Sequence, residues 1–127
     1  MRVPNASAFR QGTRWCVLFV FVCIALLYLN SAAYSVWISG GPPNPYPIGW
    51  SRRALGHLCI SAAALFIGIG LFRLILTFPK VGRGALALLV IGMILIAAPY
   101  IGRFALADRC FDQGGSWSIQ TIQCSTE

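Results

Sequence analysis

Five cysteines and one histidine carry the most reactive side chains of this chain. Two of them, Cys110 and Cys124, lie in a polar segment near the carboxyl terminus that also contains Gly114 and Gly115. A disulfide between these cysteines would close a loop of about 15 residues and stabilise it by about 3 kcal/mol in the chain-entropy model. We therefore predict a Cys110–Cys124 disulfide, with two unpaired thiols as the alternative.

His57 and Cys59 are the remaining candidates for a reactive site, because both residue types bind copper and haem iron. Their position at one end of an apolar stretch also fits an interfacial histidine and a thiol that packs as a small apolar side chain, which is the interpretation we adopt. The sequence contains no nucleophile elbow, zinc-ligand spacing or glycine-rich phosphate loop. We predict that the chain is not an enzyme and binds no cofactor or metal.

The composition determines which elements position these residues. Apolar residues make up 57% of the 127 residues and charged residues only 10%, with a mean hydropathy of +0.73. Soluble domains carry about a quarter charged residues, and disordered chains are poor in apolar side chains, so both classes are excluded. The net charge of +7 does not indicate nucleic-acid binding, because the cations stand in small groups beside apolar stretches. We therefore predict a membrane protein in contact with lipid.

Three stretches without charged residues lie between the arginines, and each is long enough to cross a hydrocarbon core of about 30 Å as a helix. They lack the alternation of a strand, and a helix satisfies its own backbone hydrogen bonds in lipid. We predict an all-α membrane protein with transmembrane helices at 15–38, 54–78 and 84–106. The other segments are an amino-terminal segment 1–14, a proline-rich loop 39–53, a short loop 79–83 and a tail 107–127.

The first apolar stretch also has features of a secretory signal peptide, because arginines precede it and small residues end it, with cleavage after Ala33. The apolar character continues through Trp37 and Ile38, which favours an uncleaved anchor. Mass spectrometry of the mature amino terminus distinguishes the two.

The distribution of lysine and arginine predicts the orientation of the helices. A cytoplasmic amino terminus places the larger share of the cations in the cytoplasm, namely Arg2, Arg10, Arg14, Arg73, Lys80 and Arg83. The outer side then holds Arg52, Arg53, Arg103 and Arg109, together with Asp108, Asp112 and Glu127. The predicted disulfide would lie on the outer side, where an oxidising compartment preserves it.

Three arginines stand at the ends of the predicted second helix: Arg52 and Arg53 at its start and Arg73 near its end. Two cations in a first helical turn oppose the helix dipole, so Arg52 and Arg53 need compensating partners. We predict ion pairs with Asp108 and Asp112 of the tail, with lipid phosphates as the alternative. Arg73 lies close enough to the cytoplasmic boundary to reach the headgroups, and we interpret it as a membrane anchor.

The predicted loop 39–53 is rich in proline and glycine, which favours an extended polyproline conformation. Tyr46 and Trp50 in this loop would offer apolar contact area to a partner. The alternative, which we prefer, is a connector whose aromatic side chains lie at the membrane interface.

Small residues at a helical-turn spacing predict close contacts between the helices. The pairs are Ala64 with Gly68 in the second helix and Ala98 with Gly102 in the third. Lipid supplies no hydrophobic drive between helices, so close packing through small faces is a main source of their association. The same faces would serve to hold a helix of another protein.

The tail reads Asp-Arg-Cys-Phe-Asp-Gln-Gly-Gly-Ser-Trp from Asp108 to Trp117, and Cys124 follows. This pattern of Cys-Xaa-Asp-Xaa-Gly-Gly-Xaa-aromatic with a later Cys resembles the tail of small multi-span bacterial inner-membrane immunity proteins, which accompany type VI secretion toxins. In the commoner form of the motif an acidic residue and a tyrosine follow the aromatic residue, whereas this chain has Ser118 and Ile119.

The resemblance implies a protein of the inner membrane whose periplasmic tail binds and neutralises a toxin that acts at the membrane or in the periplasm. The implied partner-binding residues are Asp112, Gly114, Gly115 and Trp117, beside Tyr46 and Trp50 of the loop. The glycines would permit a turn, the tryptophan would anchor the toxin, and the carboxylate would bond backbone donors of the tail. The alternatives are an accessory subunit of a larger membrane complex and, third, a small channel or exporter.

Overall fold

The computed structural model describes residues 6–41 and 43–126. Its elements are α1 (Ala6–Gly40), α2 (Pro47–Thr77), α3 (Arg83–Asp112), β1 (Ser116–Ser118) and β2 (Gln123–Ser125). All three helices are long and apolar enough to cross a membrane, which confirms the predicted all-α transmembrane fold. Arg2 and Glu127, which contribute to the predicted charge distribution, and Pro42 of the proline-rich loop lie outside the described residues.

The helices extend beyond the predicted spans. α1 begins ahead of residue 15, because the segment from Ala6 to Arg14 contains good helix formers and no proline. α3 continues past residue 106 to Asp112, so the tail that follows it is shorter than predicted. The bilayer sets the length of the apolar segment and not of the helix, so polar turns continue past it.

The largest difference from the prediction lies in the proline-rich loop 39–53. Its first two residues end α1, and α2 already begins at Pro47. A proline suits the first helical turn, because its fixed backbone angle is helical and its missing N–H would have had no partner there. Trp50 therefore lies on the first turns of α2, and the extended polyproline conformation predicted across this segment is wrong for residues 39–40 and 47–53, which are helical.

α2 packs against both other helices through two rows of small residues at heptad spacing. The row that faces α1 consists of Ala54, Ser61 and Gly68, and the row that faces α3 consists of Gly56, Ala63 and Gly70. All of these residues are buried. Small side chains let the backbones of neighbouring helices approach closely, which is how helices associate in lipid.

The backbones of α1 and α2 approach each other closely, both at an apolar contact and at a hydrogen bond. A Cβ atom built on Gly68 would stand 2.7 Å from the Cβ of Phe21. The Ser61 hydroxyl donates a hydrogen bond to the Ala25 carbonyl oxygen at 2.8 Å. Ala64 is buried as well. The structure therefore places the predicted packing residues of the second helix, Ala64 and Gly68, inside the bundle.

The contact between α2 and α3 rests on glycines of both helices. Gly92 of α3 lies so close to the Ile67 side chain that a Cβ atom has no room there. Pro99 of α3 faces a glycine, since a Cβ built on Gly56 would stand 3.6 Å from the Pro99 Cβ. The bulk of the proline ring is thus matched by a missing side chain on α2.

Ala98 and Gly102 do not form the predicted close contact. Both are exposed, and a Cβ built on Gly102 would meet nothing within 4 Å. The α3 residues that do face α2 are Ala85, Gly92 and Pro99, which follow heptad spacing. The prediction used the helical-turn spacing of small pairs, whereas the antiparallel packing follows the longer heptad repeat.

The outer faces of the helices carry large apolar side chains. Phe19, Leu27 and Phe104 leave 70%, 69% and 78% of their surface exposed. Apolar patches of this extent mark a surface that is covered by another phase or partner. Contact with membrane lipid explains them.

Candidate functional site

The structure confirms the predicted disulfide between Cys110, in the last turn of α3, and Cys124, in β2. β1 and β2 form an antiparallel pair in which Trp117 is the partner of Cys124. Residues 113–126, here called the cap, thus form a short hairpin that is covalently tied to α3.

Gly114 and Gly115 make the turn between α3 and β1. Gly114 has a φ of 73°, a conformation that L side chains rarely adopt. A Cβ atom built on Gly115 would stand 2.6 Å from the Cys124 Sγ and 3.1 Å from the Cys110 Sγ. Both glycines are therefore needed for the cap to form.

Arg52 and Arg53 hold the cap on the first turns of α2. The Arg52 Nη1 donates a hydrogen bond to the Ile122 carbonyl oxygen at 2.7 Å, and the Arg53 Nη2 donates to the Gln120 carbonyl oxygen at 3.0 Å. Ile122 is 4% exposed and has a φ of 53°, which is rare for a β-branched residue. The contacts with α2 therefore hold the turn between β1 and β2 in a strained conformation.

The ion pairs predicted between these arginines and Asp108 and Asp112 are replaced by bonds to main-chain carbonyls. Asp108 and Asp112 lie exposed on the last turns of α3, whereas the turn between β1 and β2 is the part of the cap that reaches α2. Among the described residues, the Asp112 carboxylate accepts no hydrogen bond, so the bonding predicted for it within the tail is wrong.

Two clefts flank the cap. The larger has a volume of about 460 Å³ and is lined by Trp117 and the disulfide, together with Arg109 and Ile48. The smaller has a volume of about 120 Å³ and is lined by Tyr46 and Trp50 and by residues of the cap turn. The aromatic residues predicted to bind a partner thus lie on opposite sides of the cap.

Trp50 is held in place by two contacts. The Arg53 guanidinium lies over its ring, 4.8 Å from the centroid. The Tyr34 ring meets it edge-on, with the centroids 6.5 Å apart. Tyr46 stays 44% exposed beside it. These side chains are linked to the cap, because Arg53 also donates a hydrogen bond to the Gln120 carbonyl oxygen.

Sequence analysis missed the residues that the cap itself exposes or uses for docking. Ile119 leaves 84% of its surface exposed and Phe111, at the end of α3, leaves 63%. Gly49 lies so close to the Thr121 carbonyl that a side chain has no room there. Phe111 and Ile119 could have been predicted as contact residues, because they are apolar side chains in a polar tail. Nothing in the sequence indicates that Gly49 contacts the tail.

The other predicted residues lie apart from the cap. Arg73 is exposed near the far end of α2, and its Nη1 stands 3.7 Å from a Cβ built on Gly84 at the start of α3. His57 meets the Tyr28 ring edge-on at 5.8 Å, and Cys59 lines a groove between α2 and α3. Across residues 6–41 and 43–126, no three metal-binding side chains come together.

The fold and the cap define a class: a three-helix membrane protein with a disulfide-closed hairpin docked on the end of its central helix. Comparisons with protein-family models, with curated proteins and with solved structures find no match for the chain. Its function is therefore argued from the cap and from the tail motif.

Proposed function

We propose that the protein is an immunity protein of the bacterial inner membrane, with a cytoplasmic amino terminus and a periplasmic cap. Its partner is an antibacterial toxin of the type VI secretion kind that acts at the membrane or in the periplasm. The tail motif suggests this class. One structural observation carries the proposal: the cap is fixed on two helices, and its Trp117 lines an open cleft together with Arg109 of α3.

A fixed cap favours binding, because a rigid surface loses little conformational entropy when a partner docks. The disulfide ties the cap to α3, and the hydrogen bonds of Arg52 and Arg53 tie it to α2. Tryptophan and arginine are among the residue types that contribute most to protein interfaces. Exposed Ile119 adds apolar contact area on the same hairpin.

Charge and redox chemistry support the orientation independently. Six of the ten lysines and arginines fall within residues 1–14 and 73–83, which the positive-inside rule assigns to the cytoplasm. The disulfide lies at the opposite end of α3 and persists in an oxidising space such as the periplasm.

Neutralisation requires only that the toxin is held before it assembles in the bilayer. A toxin domain at the periplasmic surface would bind the cap. Its membrane segments would meet the apolar outer faces of α1 and α3, where close helix contacts compete with contacts between toxin copies. Binding at both levels would block pore formation.

The proposed function is tested by the survival of bacteria that express the candidate toxin. The product of the gene next to this one is expressed with a periplasmic export signal in a strain that lacks both genes, with and without this protein. We expect growth only when the protein is present. Trp117→Ala should lose most of the protection, whereas Phe78→Ala, which shortens an exposed aromatic residue just after α2, at the end of that helix away from the cap, should keep it.

Failure of the wild-type protein to protect against its neighbour's product contradicts the proposal. An accessory-subunit function predicts a different result: deletion would then remove a membrane complex or its activity in cells that carry no toxin at all.

The orientation is tested separately with reporters fused after Glu127. Alkaline phosphatase, which needs the periplasm to fold, should be active in this fusion, and a cytoplasmic fluorescent protein should be dark. The reverse pattern would contradict both the orientation and the proposed role of the cap.

A further inference from the structure

A groove of about 190 Å³ lies between α2 and α3, on the side of the bundle that carries the cap. Its walls are mostly apolar and include Leu55, Cys59 and Leu106. The side chains of Arg52 and Arg103 also line it. The groove therefore combines an apolar channel with two cations.

The packing of the helices places the two cations at one level. Gly56 of α2 faces Pro99 of α3, and Arg52 and Arg103 each lie one turn closer to the cap. The Arg103 guanidinium lies against the groove residue Gly56, because its Nη2 stands 3.5 Å from a Cβ built on that glycine, and Arg103 also lines a neighbouring cleft beside His57. Both arginines therefore sit at the mouth of the groove near the membrane surface.

The two charges are not balanced by acidic groups of the groove. The residues that line it include no carboxylate. Arg52 uses one nitrogen on the Ile122 carbonyl, and Arg103 makes no hydrogen bond or ion pair within the described part of the chain. Two cations beside an apolar wall repel one another unless an anion lies between them.

We propose that this groove binds one anionic phospholipid from the leaflet on the cap side. The phosphate lies between the guanidiniums of Arg52 and Arg103, which match it in charge and hydrogen-bonding geometry. An acyl chain runs along Leu55 and Cys59 into the bilayer. Gly102 leaves the side of the groove open, because a Cβ there would meet no neighbour. This site is independent of the proposed toxin binding.

The site can be tested by native mass spectrometry of the full-length protein, released from detergent after delipidation and incubation with equal amounts of phosphatidylglycerol and phosphatidylcholine of the same chains. We expect one phosphatidylglycerol adduct per chain, in at least about tenfold preference to phosphatidylcholine, as expected for charge-assisted contacts to the phosphate. Inorganic phosphate should not displace it, because the acyl chain contributes to binding.

Two variants probe charge and shape separately. Arg103→Gln should reduce the preference about tenfold, and Gly102→Leu should prevent the adduct by filling the groove. The controls are Arg83→Gln, a cation at the opposite end of α3, and Ala105→Leu, which places the same side chain outside the groove. Equal binding of the two lipids, or an adduct unaffected by Gly102→Leu in a variant with native circular dichroism, overturns the proposal.

Discussion

The hydroxyl of Ser61 on α2 donates a hydrogen bond to the carbonyl oxygen of Ala25 on α1, at 2.8 Å in the buried contact of these helices. Ser61 also belongs to the row of small residues that faces α1, so it combines a polar contact with close packing. We expect the close packing at Ser61 to contribute more to the stability of the bundle than its hydrogen bond does.

Ser61→Ala should lower the free energy of unfolding by only about 0.6 kcal/mol, the average for a hydrogen bond between membrane helices. Ser61→Leu should lower it by about 1–3 kcal/mol, because the added side chain overfills the contact with Ala25. Unfolding in mixed micelles, followed by circular dichroism, measures both. Equal losses for the two variants would show that the hydrogen bond, and not the packing, dominates.

The same substitution, glycine to alanine, can be compared at a buried and at an exposed position of the helices. Gly68→Ala should destabilise the bundle by about 1–3 kcal/mol, because the new Cβ would stand 2.7 Å from the Cβ of Phe21. Gly102→Ala should cause no loss, since its Cβ meets nothing within 4 Å. The same unfolding assay compares them. A Gly68→Ala variant as stable as Gly102→Ala would contradict the described contact of α1 and α2.

The arginines on α2 should control the mobility of the cap. The Ile122 amide donates to the Ser118 carbonyl within the cap turn, at 3.0 Å, and Arg52 holds the carbonyl of the same residue. Arg52→Ala should therefore speed hydrogen exchange of this amide about tenfold, as expected for loss of a charged hydrogen bond. Arg83→Ala, at the far end of α3, is the control.

Charge reversal distinguishes carbonyl partners from carboxylate partners. If Arg52 and Arg53 bind carbonyls, replacing both by glutamate should loosen the cap, and adding Asp108→Arg and Asp112→Arg should not restore it. Restoration of slow exchange in the combined variant would indicate that the ion pairs form after all.

The disulfide should decide whether the cap survives proteolysis. Cys124→Ser removes the constraint on the tail, worth about 3 kcal/mol in the chain-entropy model, and should expose the chain after Asp112 to chymotrypsin, which cleaves after Trp117. Cys16→Ser, which replaces an exposed free thiol of α1, should leave the cap resistant. Intact mass should increase by two hydrogens on reduction of the wild type and should not change for Cys124→Ser.

The transmembrane fold could be predicted because it depends on composition and on the spacing of charges along the chain. Three uncharged apolar stretches leave no other way to satisfy the backbone in lipid. The helix contacts were only partly predictable. Ala64 and Gly68 lie in the bundle, but Ala98 and Gly102 do not, because small pairs occur on several faces and the sequence alone does not select the face that meets α2.

The cap shows the same limit at the candidate site. Cys110 and Cys124 could be paired from their positions, since both follow the apolar stretches in a polar tail. The partners of Arg52 and Arg53 could not, because every residue has a carbonyl oxygen and no side-chain pattern marks the ones that will be used. Asp108 and Asp112 were predicted as the partners because their carboxylates are the acceptors that the sequence of the tail identifies.

The docking of the cap on α2 also constrains the order of events during synthesis. The hydrogen-bond acceptor of the Arg52 side chain is the carbonyl oxygen of Ile122, which is synthesised 70 residues later. The ribosome must therefore have released the chain through Ile122 before the start of α2 acquires its partner. A chain truncated before Gln120 would retain its three apolar helices but would lack the carbonyl oxygens that Arg52 and Arg53 bind.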